Sequence, residues 1–170
     1  MPKFERFKKR HVLGKREQRA VLEQIEKTLG SSVTRIGSET QFEEGILDDG
    51  SRVLLLNGAI VFFESEGRML PTLRALLDGI ITIPRVVVDM GAVKYVANGA
   101  DIMRPGIVSV QDGIAEGSIV VVVDEKHGKP LAVGVSTMSS DGLRAASGGK
   151  VIVSKHHIGD EVWTFGKTLD

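Results

Sequence analysis

Hydrophobic and polar positions follow two different periods along this chain of 170 residues. Between Lys15 and Leu29, the apolar residues Val21, Leu22, Ile25 and Leu29 fall on one helical stripe, and Gly30 is placed to end it. The preceding residues 1–14 hold no regular apolar period, and residues 31–50 read as short strands and loops. Arg52–Leu56 and Ala59–Phe63 are apolar β-type runs around Asn57-Gly58, which predicts a hairpin closed by a tight type I′ turn. Pro71 suits the first turn of a helix that buries Leu73, Leu76 and Leu77 and stops at Gly79.

A strand-dominated pattern begins near Thr82–Pro84 and divides the chain into domains 1–83 and 84–170. The β-branched run ending at Val88 leads into Asp89–Gly106, and Ile107–Val110 follows. Asp89 is placed to cap a short helix in which Ala92, Val93, Val96, Ala97 and Ala100 share one arc. Lys94, Tyr95 and Asn98 fall on the opposite arc, towards solvent or a partner. Gly99 should end the helix in a left-handed cap. Arg104-Pro105-Gly106 reads as a turn, with Pro105 fixing φ and Gly106 supplying a positive φ. Ser118–Asp124 is a valine-rich buried strand, Glu125–Lys129 a polar turn with Gly128 at its positive φ, and Pro130–Val135 the returning strand. Asp141–Ser147 reads as a brief helix broken by Gly148-Gly149, with Lys150–Val153 and Val162–Phe165 as the last two strands.

Composition and charge narrow the chemistry. Hydrophobic residues at 42% and charged residues at 26% are ordinary for a soluble globular protein, and 20 glycines suit a turn-rich β architecture. No window approaches the ~18 apolar residues of a membrane span, and the basic start lacks the apolar region of a signal peptide. A cytoplasmic protein without a membrane partner is therefore expected. The absence of cysteine excludes disulfides, thiolate zinc sites and cysteine nucleophiles. His11, His127, His156 and His157 show no ligand spacing, and adjacent histidines on a strand point to opposite faces, so a solvated turn is the simpler reading of the pair. No nucleophile elbow, Walker or dinucleotide glycine pattern is present. Neither a catalytic site, a metal nor a cofactor is expected.

The formal net charge of zero conceals an asymmetry: residues 1–20 hold eight basic and two acidic side chains, residues 21–50 two basic and seven acidic. Lys8, Lys9, Arg10, Lys15, Arg16 and Arg19 are either a solvated face offset by Glu17, Glu23 and Glu26 or a patch that contacts phosphate. A second candidate is the Asp89–Gly106 stretch itself. RNA-binding modules combine cations, stacking surfaces and glycine loops, and here Lys94 and Arg104, Tyr95, and Gly91, Gly99 and Gly106 occur together. Met103 reads as core. Trp163 reads as core or as part of a binding wall.

The turn Ile102–Gly106 with its glycines resembles the opening of the PUA domain, a small RNA-binding fold named after pseudouridine synthases and archaeosine transglycosylases. Leu70–Arg74, Pro84, Val88-Asp89, Gly91–Val96 and Gly99–Met103 extend the likeness to the malignant-T-cell-amplified-sequence translation factors, whose archaeal relatives share one two-domain plan. The resemblance implies an α+β chain, with a small N-terminal α/β (pre-PUA) domain followed by a mainly β PUA pseudobarrel. It also implies a non-catalytic RNA-binding protein of the translation apparatus. The expected partners are tRNA, through its CCA end, or rRNA, together with the small ribosomal subunit and an initiation-factor-like protein. Carried onto matching positions, the RNA edge comprises Lys94, Asn98, Gly99, Ala100, Asp101, Arg104 and Gly106, with Tyr95 as a stacking face and the last strand around Trp163 as the opposite wall. Asp101 repels phosphate, so it would accept from a base amine or sugar hydroxyl, or cap the next turn. Residues 85–170 hold nine basic and ten acidic side chains, which requires a shaped local site instead of a broad positive field. The alternative is an RNA-targeting accessory subunit of a tRNA or rRNA modification enzyme. A third reading makes Lys94, Tyr95 and Asn98 a protein contact.

Overall fold

The computed structural model describes residues 6–30, 36–37 and 39–170. They form two compact units, one made by the chain up to Thr82 together with Glu161–Asp170, the other by Ile83–Asp160. The first unit is an antiparallel meander of β1 (Phe7–Val12), β2 (Glu43–Leu47), β3 (Arg52–Leu56), β4 (Ala59–Ser65) and β5 (Arg68–Pro71), paired in chain order. Helix α1 (Lys15–Leu29) lays Gln18, Val21, Ile25 and Leu29 into the core, and α2 (Leu73–Leu77) is capped by the Thr72 hydroxyl. Asn57 and Gly58 both take positive φ, as the type I′ turn requires. Glu66 and Gly67 repeat that conformation and fold β4 onto β5. Pro71 closes β5 and so precedes the helix cap instead of occupying the first helical turn.

Two elements of this unit differ from the sequence expectation, and one lies partly outside the described residues. Phe7–Val12 is a strand despite lacking an apolar period, because its backbone pairs with β2 across a bulge between Phe7 and Lys9. Of the stretch 31–50, residues 31–35 and 38 lie outside the described residues, and Glu43–Leu47 supplies one central strand. Val162–Phe165 is not a strand: it belongs to α5 (Glu161–Thr168), which belongs to the first unit. Phe165 is buried edge-on against Phe7 at 5.2 Å, and Arg74 bridges Asp78 at 2.8 Å and Asp170 at 2.5 Å. Residues 161–170 thus leave the second domain to which the pattern assigned them.

The second unit is a six-stranded sheet in the order β7-β11-β10-β9-β6-β8. Its elements are β6 (Arg85–Val88), α3 (Met90–Ala97), β7 (Ile102–Met103), β8 (Ile107–Val110), β9 (Ile119–Asp124), β10 (Pro130–Ser136), α4 (Ser140–Ala145) and β11 (Lys150–His157). Only β6 and β9 run parallel within it. All six residues of β9 are buried, which is why its valines run on without alternation. Among the described residues no helix is long and apolar enough to cross a membrane.

Asp124 ends β9 and shapes the turn to β10. Its carboxylate accepts from the His127 N–H at 2.5 Å and the Lys129 N–H at 3.0 Å. The His127 N–H above all, with those of Lys129 and Lys126, holds its pKa below the usual aspartate value against the opposing effect of desolvation. A carboxyl depressed on folding stabilises the protein above its unfolded pKa of about 3.9, and that contribution is lost as pH falls through the folded value. In urea unfolding at stepped pH, the advantage of the wild type over Asp124→Asn should be full near neutrality and shrink on acidification below about pH 4.

Candidate nucleic-acid interface

The edge begins at β6 and is fixed by a cap. Asp89 Oδ1 accepts from the Ala92 N–H at 2.9 Å and starts α3. The Asp89 N–H donates to Gly106 O at 2.9 Å, tying the helix start to the 3₁₀ turn Arg104–Gly106. That contact explains Gly106. Its φ is not positive, contrary to the sequence expectation, but a Cβ there would lie 3.1 Å from Ala92 Cβ. The glycine serves close packing of turn on helix.

Gly99 does take a positive φ of 94°. The Gly99 N–H donates to Val96 O and the Ala100 N–H to Tyr95 O, both at 3.0 Å, the paired bonds of a Schellman cap. His157, at the end of β11, supports this cap from below. Its Nδ1 lies 3.1 Å from Ala97 O and 2.8 Å from Ile158 O, and two carbonyl partners assign the ring hydrogen to that nitrogen. A Cβ on Gly99 would come within 2.8 Å of His157 Nε2. The neighbouring His156 is buried with Nδ1 2.8 Å from Asp160 Oδ2. The pair is therefore packed structure, not the solvated turn expected.

On this frame α3 presents Lys94, Tyr95 and Asn98 outwards, with Tyr95 59% exposed and the Lys94 ammonium 5.0 Å from its ring centre. Ala100 is also exposed, in contrast to its expected place on the inner arc, because it follows the Gly99 cap outside the helix. Met103, expected in the core, is 51% exposed because β7 is only two residues long and turns Ile102 inwards. It pairs in register with Lys150 of β11, which follows the exposed Gly148-Gly149. Met103 and Lys150 are the surface residues that sequence reasoning missed. The period-2 alternation across Ile102-Met103 was the available signal.

Two expected RNA residues are engaged within the protein. The Arg104 guanidinium donates to three carbonyls, Leu143 O at 2.5 Å, Ile107 O at 3.2 Å and Arg144 O at 3.3 Å, which joins the turn to α4. Asp101 accepts from the Ser154 N–H at 2.8 Å and meets Lys150 Nζ at 3.4 Å, clamping the start of β7 to β11. Its charge beside the edge is thereby explained as a clamp and partly compensated. Trp163 lies on α5 of the first unit, half-buried with Lys167 Nζ 5.1 Å from its ring centre. It is not on a strand of this sheet, whose last strand in the chain is β11, paired with β7.

The basic patch divides between two elements of the first unit. Lys8, Lys9 and Arg10 are exposed on the edge strand β1, and Lys15, Arg16 and Arg19 are exposed on the first turns of α1. Arg10 is already paired: Nε and Nη2 reach Glu43 at 2.8 and 3.2 Å, which raises the Arg10 pKa and lowers that of Glu43. Glu17 is held low first by the Gly14 N–H and then by His11. It therefore offsets some of the positive charge at the helix start.

A six-stranded sheet with one short helix feeding a glycine cap defines the class of the second unit. The family model of the PUA domain, an RNA-binding class, matches residues 84–158, and a model described as a domain of unknown function, DUF1947, matches residues 9–78. An uncharacterized protein of Methanocaldococcus jannaschii is 35% identical over 159 residues, 94% of this chain and 98% of its own. Translation machinery-associated protein 20 of Saccharomyces cerevisiae is 31% identical over 136 residues, 76% of this chain and 75% of its own. The crystal structure of a hypothetical protein from Pyrococcus horikoshii OT3 superposes with a TM-score of 0.80 at 32% identity, covering 93% of this chain and 99% of that one. The chain belongs to the PUA-domain family that includes translation machinery-associated protein 20 and the malignant T-cell-amplified sequence proteins.

Proposed function

We propose that this chain is a non-catalytic, cytoplasmic RNA-binding protein of the translation apparatus. It engages the end of a tRNA, or an exposed segment of rRNA, along α3, the Gly99 cap and β7. The basic face of β1 and α1 docks on the small ribosomal subunit, and an initiation-factor-like protein is its proposed protein partner. The single observation that carries this reading is the exposed Lys94–Tyr95 pair, a cation set over a stacking ring, on a helix whose cap and turn are locked from behind. Rigid backing of an exposed aromatic and a cation suits a single-stranded end, whose bases stack and whose phosphates need few charges. Lys94, Tyr95, Asn98 and Ala100 make the contacting surface. Gly99, Gly106, Asp101 and Arg104 hold it in shape, and Met103 and Lys150 extend it. The names of the fungal relatives supply the link to translation.

The test is titration of the full chain with tRNA carrying or lacking its CCA end, and with small ribosomal subunits, at stated salt. Tighter binding of the intact tRNA supports the reading. No binding of either RNA or of the subunits contradicts it. Tyr95→Ala should weaken RNA binding by about 1–3 kcal/mol, the usual worth of one stacked base. Lys94→Ala should lower the slope of log affinity against log salt by about one, with thermal unfolding unchanged in both variants.

A further inference from the structure

A cleft of about 430 Å³ in the first unit has no part in the edge described above. One wall is the start of α1, where Lys15 and Arg19 stand one turn apart on the same face and Leu22 continues that face with its apolar side chain. The other is the turn and loop Glu39–Gln41, in which the Thr40 N–H donates to Gly37 O at 3.1 Å. The two walls are fixed to each other by Gln18, a side chain only 8% exposed. Its Nε2 donates to Thr40 O and its Oε1 accepts from the Phe42 N–H at 3.1 Å. Gln41 reinforces the join, with Nε2 donating to Leu13 O at 2.9 Å. The cleft is thus preformed, and its size is within the range of small-ligand sites.

Its lining has a defined polarity. Two cations on one rim match a phosphodiester, and Leu22 offers an apolar surface for the face of a base. Glu39, exposed on the opposite wall, is an acceptor and repels phosphate, so the group facing it must donate hydrogen bonds. A nucleotide whose base carries an exocyclic amine has this arrangement of anion, flat face and donor. We propose that the cleft receives one unpaired nucleotide with an amino-bearing base, adenine, cytosine or guanine, extruded from a structured RNA. The proposal rests on the reading of the chain as an RNA-binding protein and adds a specific site to it. A bulged base is the natural source, since its extrusion sacrifices no base pair.

The experiment uses the full chain and three RNA hairpins that differ only in one position: a bulged A, a bulged U, or no bulge. The bulged-A hairpin should bind about tenfold more tightly than the unbulged one, as one well-seated base provides. Leu22→Trp fills the cleft without changing charge, and should abolish that preference while leaving affinity for the unbulged hairpin intact. Glu39→Gln, which adds a donor, should narrow the difference between bulged A and bulged U. Leu22→Trp must retain the wild-type melting curve, and Glu39→Gln, at an exposed position, provides an independent readout. Equal binding of all three hairpins, or a preference that survives Leu22→Trp, overturns the cleft and leaves the RNA-binding reading standing. No binding of any hairpin likewise overturns the cleft, whereas the RNA-binding reading falls only if tRNA and small ribosomal subunits also fail to bind.

Discussion

Arg104→Ala is expected to destabilise the protein by about 2–3 kcal/mol, the scale for losing charge-assisted hydrogen bonds and leaving carbonyls unpaired. The guanidinium serves three carbonyls on two elements, Ile107 O just after its own turn and Leu143 O and Arg144 O at the end of α4. No smaller side chain replaces that fork. Arg104→Lys should recover little, since one ammonium on a flexible stem cannot reach three carbonyls that Nε, Nη1 and Nη2 meet separately. The effect should appear in urea or thermal unfolding without RNA. Any loss of RNA affinity should follow from displacement of the Arg104–Gly106 turn, which carries the Asp89–Gly106 bond at the start of α3. An Arg104→Ala variant with unchanged stability and a reduced salt slope would instead make Arg104 a direct phosphate contact.

Phe62→Ala should have the larger effect, about 3–5 kcal/mol, because it removes a wholly buried ring from the centre of the first unit. Phe62 meets Phe42 edge-to-face at 6.0 Å, and the Phe42 N–H is bonded to Gln18. The cavity therefore opens behind the wall that Gln18 fixes. Denaturant unfolding of Phe62→Ala and of the milder Phe62→Leu measures this directly, with Phe62→Leu retaining most of the lost stability.

Elements whose hydrogen bonds and packing are local were legible in the amino-acid order. The α1 stripe, the Asn57-Gly58 hairpin, the Asp89 cap and the Gly99 stop all rest on residues within one or two turns of each other. The misreadings are cases where distant residues decide. β1 has no apolar alternation of its own and becomes a strand through β2, more than thirty residues on in the chain. Val162–Phe165 has strand-like β-branched and aromatic composition, yet Phe165 has its partner in Phe7, and Glu161 in the first turn and Lys167 in the last suit a helix dipole.

The candidate site divides in the same way. Tyr95 and Lys94 were readable as an outward arc of a short helix. The diversion of Arg104 to α4 was not, because its acceptors lie about forty residues away. The same holds for His157 beneath Gly99, a contact across sixty residues between β11 and the end of α3. The Gly106 assignment failed for a different reason: a glycine required by close approach looks the same in sequence as one required by positive φ.

The Lys94–Tyr95 face, with the Gly99 cap and β7, is the edge proposed to meet RNA. Amide chemical shifts of the full chain, followed while a single-stranded RNA ending in CCA is added, report on every part of that edge at once. Progressive shifts at Lys94, Tyr95, Asn98, Gly99, Ala100 and Met103, with the β8–β9 side of the sheet unmoved, are the predicted result. Shifts confined to residues outside α3, β7 and β11, with this edge silent at saturating RNA, would contradict it.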